Sequence, residues 1–130
     1  MNIGELERRS GVGRHALRYY EQLGLIVAQR QANNYRSYSE QAVADLNFVQ
    51  TAQRGGFTLA EIGEILAARR GNTLDCVQGA LLVSGKMAEI QAKIQTLQAA
   101  YEVLDSERAK LVASAVATGL TIPENISAGA

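Results

Sequence analysis

The chain of 130 residues contains one histidine, His15, and one cysteine, Cys76. The two lie in different segments, so neither can complete a nucleophile–base pair with the other, and no cluster of ligands with metal-site spacing exists. The string Gly11-Val12-Gly13-Arg14-His15-Ala16 matches a G-x-G-x-x-A pattern. A dinucleotide loop must follow a strand, however, and the residues ahead of this one read as a helix. That inventory leaves almost no material for an enzyme and points to no cofactor and no complete metal-ligand cluster. What is present is cationic and aromatic. Within residues 8–39 six arginines (8, 9, 14, 18, 30 and 36) face a single acid, Glu21, and four of the five tyrosines (19, 20, 35 and 38) lie there too. A guanidinium forks onto phosphates and guanine edges where an ammonium acts as a point charge. All three lysines fall in the second half of the chain. Arginine interleaved with tyrosine therefore points to a nucleic-acid surface rather than to a plain solvated face.

The whole chain is less polarised than this cluster. Lys+Arg and Asp+Glu are 13 each, so the formal charge is zero and a purely basic nucleic-acid arm is excluded. The zero conceals nine arginines against seven acids in residues 1–70 and four cations against six acids in residues 71–130. With 47% hydrophobic and 20% charged residues, the composition is globular. A single cysteine cannot close an internal disulfide, which fits a reducing compartment. The first nine residues are charged and lack an apolar signal core. No apolar run exceeds four residues, as in Ala80-Leu81-Leu82-Val83, which is too short to span a bilayer. The expectation is a cytoplasmic protein with no membrane partner.

The arginines must be placed by local structure. Asn2 can cap a first helix, with Glu5 reaching back as a variant capping box, Ile3, Leu6 and Val12 on its apolar side and Ser10-Gly11 as its break. A second helix is expected from about Arg14 to Leu23, stopped by Gly24. Ala16, Leu17 and Tyr20 then share an inward side, while Arg14 and Arg18, four apart and flanked by His15 and Tyr19, share another. Two short helices around a glycine read as helix-turn-helix. Leu25-Ile26-Val27 and Tyr35-Arg36-Ser37-Tyr38, joined through Asn33-Asn34, suggest a small β-hairpin. Ser39 can cap a third helix over about residues 40–53, with Val43, Leu46 and Val49 or Phe48 inward and Gly55-Gly56 at its end. Thr58-Leu59-Ala60-Glu61 is a capping box for a fourth helix through about Ala68, buried along Ile62, Ile65 and Leu66.

The period then changes. Val83, Met87, Ile90, Ile94, Leu97, Tyr101, Leu104 and Leu111 are spaced 4, 3, 4, 3, 4, 3 and 7, with Arg108 in the skipped position. This is a heptad seam. A helix of about 29 residues, roughly 43 Å long, cannot bury such a stripe against itself. No second long helix follows to pair with it, so the seam predicts a homodimer. Three regions result: a DNA-binding domain over residues 1–72, a dimerisation helix over 73–112, and a loose tail over 113–130 that can fold back on the partner.

The motifs together are distinctive. Ile3-Gly4-Glu5-Leu6, then Ala16-Leu17-Arg18-Tyr19-Tyr20-Glu21-Gln22-Leu23-Gly24-Leu25, Tyr35-Arg36-Ser37-Tyr38-Ser39 and Gly56-Phe57-Thr58-Leu59-Ala60-Glu61-Ile62 follow in that order. In these stretches the chain resembles the MerR family of bacterial transcription regulators. Residues 75–112 match only in architecture. The resemblance implies a mainly α fold: a winged helix-turn-helix with a β-hairpin wing, followed by a long coiled-coil helix that pairs antiparallel in a homodimer. It implies binding to a pseudo-palindromic, double-stranded promoter site with an over-long spacer, and distortion of that spacer so that RNA polymerase engages both promoter elements. Carried over residue by residue, Arg14, His15, Arg18 and Tyr19 would read DNA from the recognition helix. Arg30, Tyr35 and Arg36 would sit on the wing, against the backbone and minor groove, and Arg54 would hold a phosphate. Gly13 stands where the family often has Ser, and Gly is a serviceable cap.

Cys76 stays open. Metal-sensing members combine a cysteine near this position with others in a later loop, but residues 113–130 contain no Cys or His. Cys76 alone cannot form a full thiolate site; two copies offer two sulfurs, or one reactive thiol each. Cys76 is thus a structural residue, a redox or electrophile sensor, or a partial metal ligand. Two other readings of the chain are a DNA-architectural accessory factor on a related winged helix and a thiol sensor centred on Cys76.

Overall fold

The computed structural model describes residues 1–127. The elements run α1 (Ile3–Ser10), α2 (Arg14–Gln22), β1 (Ala28–Arg30), β2 (Arg36–Tyr38), α3 (Glu40–Arg54), α4 (Leu59–Arg70), α5 (Cys76–Ala117) and α6 (Glu124–Ser127). They fall into two compact units, one of Met1–Lys86 and one beginning at Met87. The fold is mainly helical, a winged helix-turn-helix with a two-stranded wing and then a long helix.

Local chemistry sets the boundaries in the first unit. The Asn2 side chain accepts from the Glu5 amide at 2.8 Å, while the Glu5 carboxylate is engaged by Arg8 one turn on. Gly11 closes α1 at φ 73°. At the end of α2, Gly24 takes φ 77°. Its amide donates to the Glu21 carbonyl and the Leu25 amide to that of Tyr20, the paired closure that a left-handed glycine permits. Thr58 and Glu61 form the expected reciprocal box at the start of α4, with bonds of 3.1 and 2.9 Å. Ser39 occupies the N-cap of α3, but its side chain makes no capping bond.

The hairpin forms later in the chain than Leu25-Ile26-Val27 suggested. Its register is Ala28↔Tyr38, Gln29↔Ser37 and Arg30↔Arg36. Leu25 and Ile26 are both buried; consecutive buried side chains cannot both lie on the inner face of a pleated ribbon, so the strand starts beyond them. Asn34 supplies the left-handed turn at φ 66°, and the Asn33 side chain accepts from the Tyr35 amide.

Two clusters make the core. Leu6, Leu17, Ile26, Tyr38, Ala42 and Leu46 form one; Leu25, Val49, Ala52, Ile62 and Leu66 form the other, and Tyr20 packs against both. Each fully buried aliphatic side chain contributes about 1.5–3 kcal/mol. On α3, Val49 is the buried residue and Phe48 is half-buried.

Helix α5 has 42 residues, against the 29 of the seam, and is about 63 Å long at 1.5 Å per residue. Its start is a second reciprocal box: Asp75 Oδ1 accepts from the Gln78 amide at 2.8 Å, and Gln78 Oε1 from the Asp75 amide at 2.9 Å. It continues past residue 112 to Ala117. No residue of α5 is buried, and the seam residues are exposed by between 39% (Ile90) and 70% (Leu111). The loose tail expected from 113 is corrected over its described part. Residues 113–117 are helix, Gly119 turns the chain at φ 78°, and Leu120, Ile122, Pro123 and Ile126 face one apolar hollow with Leu104 and Leu111 of the same chain. Residues 128–130 lie outside the described residues.

Candidate nucleic-acid interface

Helix α2 has two chemically distinct sides. Leu17 is fully buried, with Ala16 and Tyr20 partly covered beside it. Arg14, His15, Arg18 and Tyr19 are all exposed. The i, i+4 spacing puts Arg14 and Arg18 one above the other, as a helix entering a major groove requires. The wing exposes Arg30, Tyr35 and Arg36. Arg30 Nη1 donates to Asn34 Oδ1 at 2.9 Å, holding the turn.

Most of the cluster's arginines already have carboxylate partners. Arg8 pairs with Glu5. Arg9 makes a two-pronged contact with Glu40 at 2.6 and 2.8 Å, and that hydrogen bond holds the Glu40 carboxyl below its ordinary value. Arg14 lies 3.3 Å from Glu7, whose other oxygen accepts the Arg14 backbone amide at 2.9 Å. That carboxylate stands in for the capping side chain that Gly13 lacks. Arg36 lies 3.4 Å from Glu21. Arg18 has no hydrogen bond or ion pair among the described residues. The arginine sides of these pairs are open to solvent, where ion pairs are individually weak.

Glu21, the single acid within the cluster, joins α2 to the wing. Besides Arg36 it accepts a 2.6 Å hydrogen bond from the Tyr38 hydroxyl. Burial, then the adjoining Glu21 carboxylate, push the Tyr38 phenol up to about 12. A second polar hub lies below. Buried Asp45 accepts from Gln41 Nε2 at 2.9 Å and pairs with Arg70 at 3.0 Å. Glu7, Glu21, Tyr38, Asp45 and Arg70 were not singled out from sequence as functional. Asp45 carried a signal: it shares helical spacing with Ala42, Leu46 and Val49, a stripe that should be apolar.

Arg54 is apart from this group. It ends α3, contacts Thr51 Oγ1 at 3.5 Å, and lines a shallow polar hollow with Asn47, Gln50, Thr51 and Gln53. Cys76 is exposed. It borders an apolar hollow of about 560 Å³ walled by Phe48, Phe57, Ile65, Leu74, Leu82 and Val83. Arg69 stacks over Phe48, and Lys86 Nζ sits 4.9 Å from the Phe57 ring centre. Among the described residues no group of three or more His, Cys, Asp or Glu is placed to hold a metal ion. No helix of the described residues is long and apolar enough to cross a membrane.

Comparison with known proteins agrees with this geometry. The family model described as MerR HTH family regulatory protein matches residues 1–69, and the one described as MerR, DNA binding matches residues 43–106. The chain is 38% identical over 99 residues to the transcriptional regulator HmrR of Sinorhizobium medicae, covering 75% of this chain and 67% of that protein. It is 39% identical over 97 residues to the mercuric resistance operon regulatory protein of Bacillus cereus, covering 74% of each. Among solved structures, the transcription regulator PbrR691 of Ralstonia metallidurans, in complex with lead(II), superposes with a TM-score of 0.72 at 28% identity, covering 85% of this chain and 86% of that one. The paired-motif head, its wing and the long helix that follows place this chain in the MerR family of helix-turn-helix transcription regulators.

Proposed function

We propose that the chain acts as a homodimer on a pseudo-palindromic promoter site, bending and untwisting the spacer so that RNA polymerase can engage both promoter elements. Arg14, His15, Arg18 and Tyr19 enter the major groove; Arg30, Tyr35 and Arg36 hold the backbone and minor groove from the wing; Arg54 takes a phosphate. The observation that carries this reading is the division of α2, whose arginine side faces solvent while its Leu17 side is locked in the core. The uncovered seam Val83, Met87, Ile90, Ile94, Leu97, Tyr101, Leu104 and Leu111 supports pairing of two chains. Pairing matters because distorting a duplex costs several kcal/mol, on the order of 1–6, and needs contacts across a wide footprint.

Selection of bound duplexes from a random pool, followed by sedimentation of the complex, tests this. The expected result is an inverted repeat bound by two chains. A single asymmetric half-site bound by one chain would refute it.

The signal is a second question. Relatives named for mercuric resistance and heavy-metal dependence make a soft metal one candidate, and the exposed Cys76 thiol at the first residue of α5 makes thiol chemistry another. In an antiparallel pair the two Cys76 residues stand at opposite ends, which favours one reactive thiol per subunit over a shared pair of sulfurs. Cys76→Ser should abolish any response of operator binding to mercury(II) or to a thiol-alkylating agent; an unchanged response removes Cys76 from the mechanism.

A further inference from the structure

The last residue of α4 reaches across the fold to the turn that follows the recognition helix. Arg70 Nη1 donates to the Gly24 carbonyl at 2.7 Å. Its Nη2 donates to the Leu25 carbonyl at 2.9 Å and to Asp45 Oδ2 at 3.0 Å. Asp45 is buried on α3, and Gln41 holds its other oxygen. One planar guanidinium thus ties two consecutive carbonyls of the turn to the helix beneath it. The turn has little rigidity of its own. Gly24 is in the left-handed region with no side chain to pack, and the next two residues diverge, Leu25 into one core cluster and Ile26 into the other. Beyond them β1 begins.

We propose that Arg70 is a positioning residue for DNA recognition. By clamping Gly24 and Leu25 to Asp45 it fixes the angle between α2 and the wing, and so the pose in which the exposed arginines meet the duplex. Arg70 itself contacts no DNA. The role requires arginine: its fork satisfies three acceptors in fixed directions, whereas the compact ammonium of lysine can keep the Asp45 pair without holding both carbonyls. The inference rests on the reading of α2 as the helix that enters the groove.

The test uses the purified full chain and two duplexes: one enriched by the wild type from a random pool, and one scrambled to the same length and composition. The readout is the ratio of the two affinities. A purely structural role would lower thermal stability and leave that ratio intact. Arg70→Gln should reduce the ratio by about tenfold or more while binding to the scrambled duplex shifts by less than about twofold. Arg70→Lys should fall between Arg70→Gln and wild type. Because Arg70→Gln leaves the Asp45 carboxylate unpaired, the paired variant Asp45→Asn/Arg70→Gln is measured beside it and should show the same loss of preference. In the DNA-free protein, amide exchange at Gly24 and Leu25 should quicken in the Arg70→Gln variant, with Leu6 still protected. An unchanged ratio, or equal losses on both duplexes, would overturn the role of Arg70 alone. A wild type that enriches no sequence would overturn the reading of α2 as well.

Discussion

The first compact unit and the helix that continues from it use apolar residues in opposite ways. In residues 1–70 the core aliphatic residues are covered: Leu6, Leu17, Leu46, Val49 and Ile62 are all fully buried. Along α5 they are uncovered: Leu97, Leu104 and Leu111 are each exposed by about 70%. The same residue type is therefore a finished interior in one region and an unfinished one in the other. A head that folds on its own contacts can be tuned by local substitutions. A helix that leaves its apolar stripe bare depends on what covers it.

The largest expected effect comes from the bare stripe. Ile94→Lys places a charge in the seam and should convert dimers to monomers by sedimentation. Operator affinity should fall by between about a hundredfold and ten-thousandfold, as the two heads lose their linkage. The thermal melting of the first unit should be unaffected; an intact dimer would show that the stripe is not an interface. Leu17→Ala, in the finished interior, should cost about 2–5 kcal/mol of unfolding free energy in a denaturant titration. A loss below about 1 kcal/mol would show that α2 is loosely seated.

Arg18→Ala should cost about 1–3 kcal/mol of operator affinity if Arg18 reads a base edge, whereas Arg8→Ala, which removes an exposed pair with Glu5, should leave operator affinity nearly unchanged. Equal effects on operator binding would erase the distinction between paired and unpaired arginines. The smallest effect concerns pH. The phenol of Tyr38 is raised from its usual 10 to about 12, so its neutral form is favoured in the folded chain. That stabilisation is fully present below pH 10 and is lost as pH rises towards 12. Urea melts of wild type and Tyr38→Phe should differ most below pH 10 and converge above it.

Much of this was legible in the sequence because it is local. Thr58 and Glu61 announce α4, Gly24 ends α2, and the apolar spacing from Val83 to Leu111 marks a long helix with one apolar stripe. What was not legible depends on tertiary approach. Arg9 meets Glu40, and Arg70 meets Gly24, only after α1, α3 and α4 pack. A local charge count over residues 8–39 therefore overstates the free cations, because Glu5, Glu7 and Glu40 lie just outside that window. The hairpin was misplaced for a related reason: Leu25 and Ile26 have strand-like side chains but are held in two different core clusters. The ends of α5 are not legible because a heptad reports the spacing of apolar residues, not where helical hydrogen bonding stops.

The carboxylate of Glu7 at the first amide of α2 has a further consequence. Helix α2 does not carry its own starting signal; its neighbour in sequence provides it across the intervening turn. Anyone transplanting α2 into another scaffold to move its specificity would have to bring α1 along, or write a serine at position 13 so that the transplant can begin by itself.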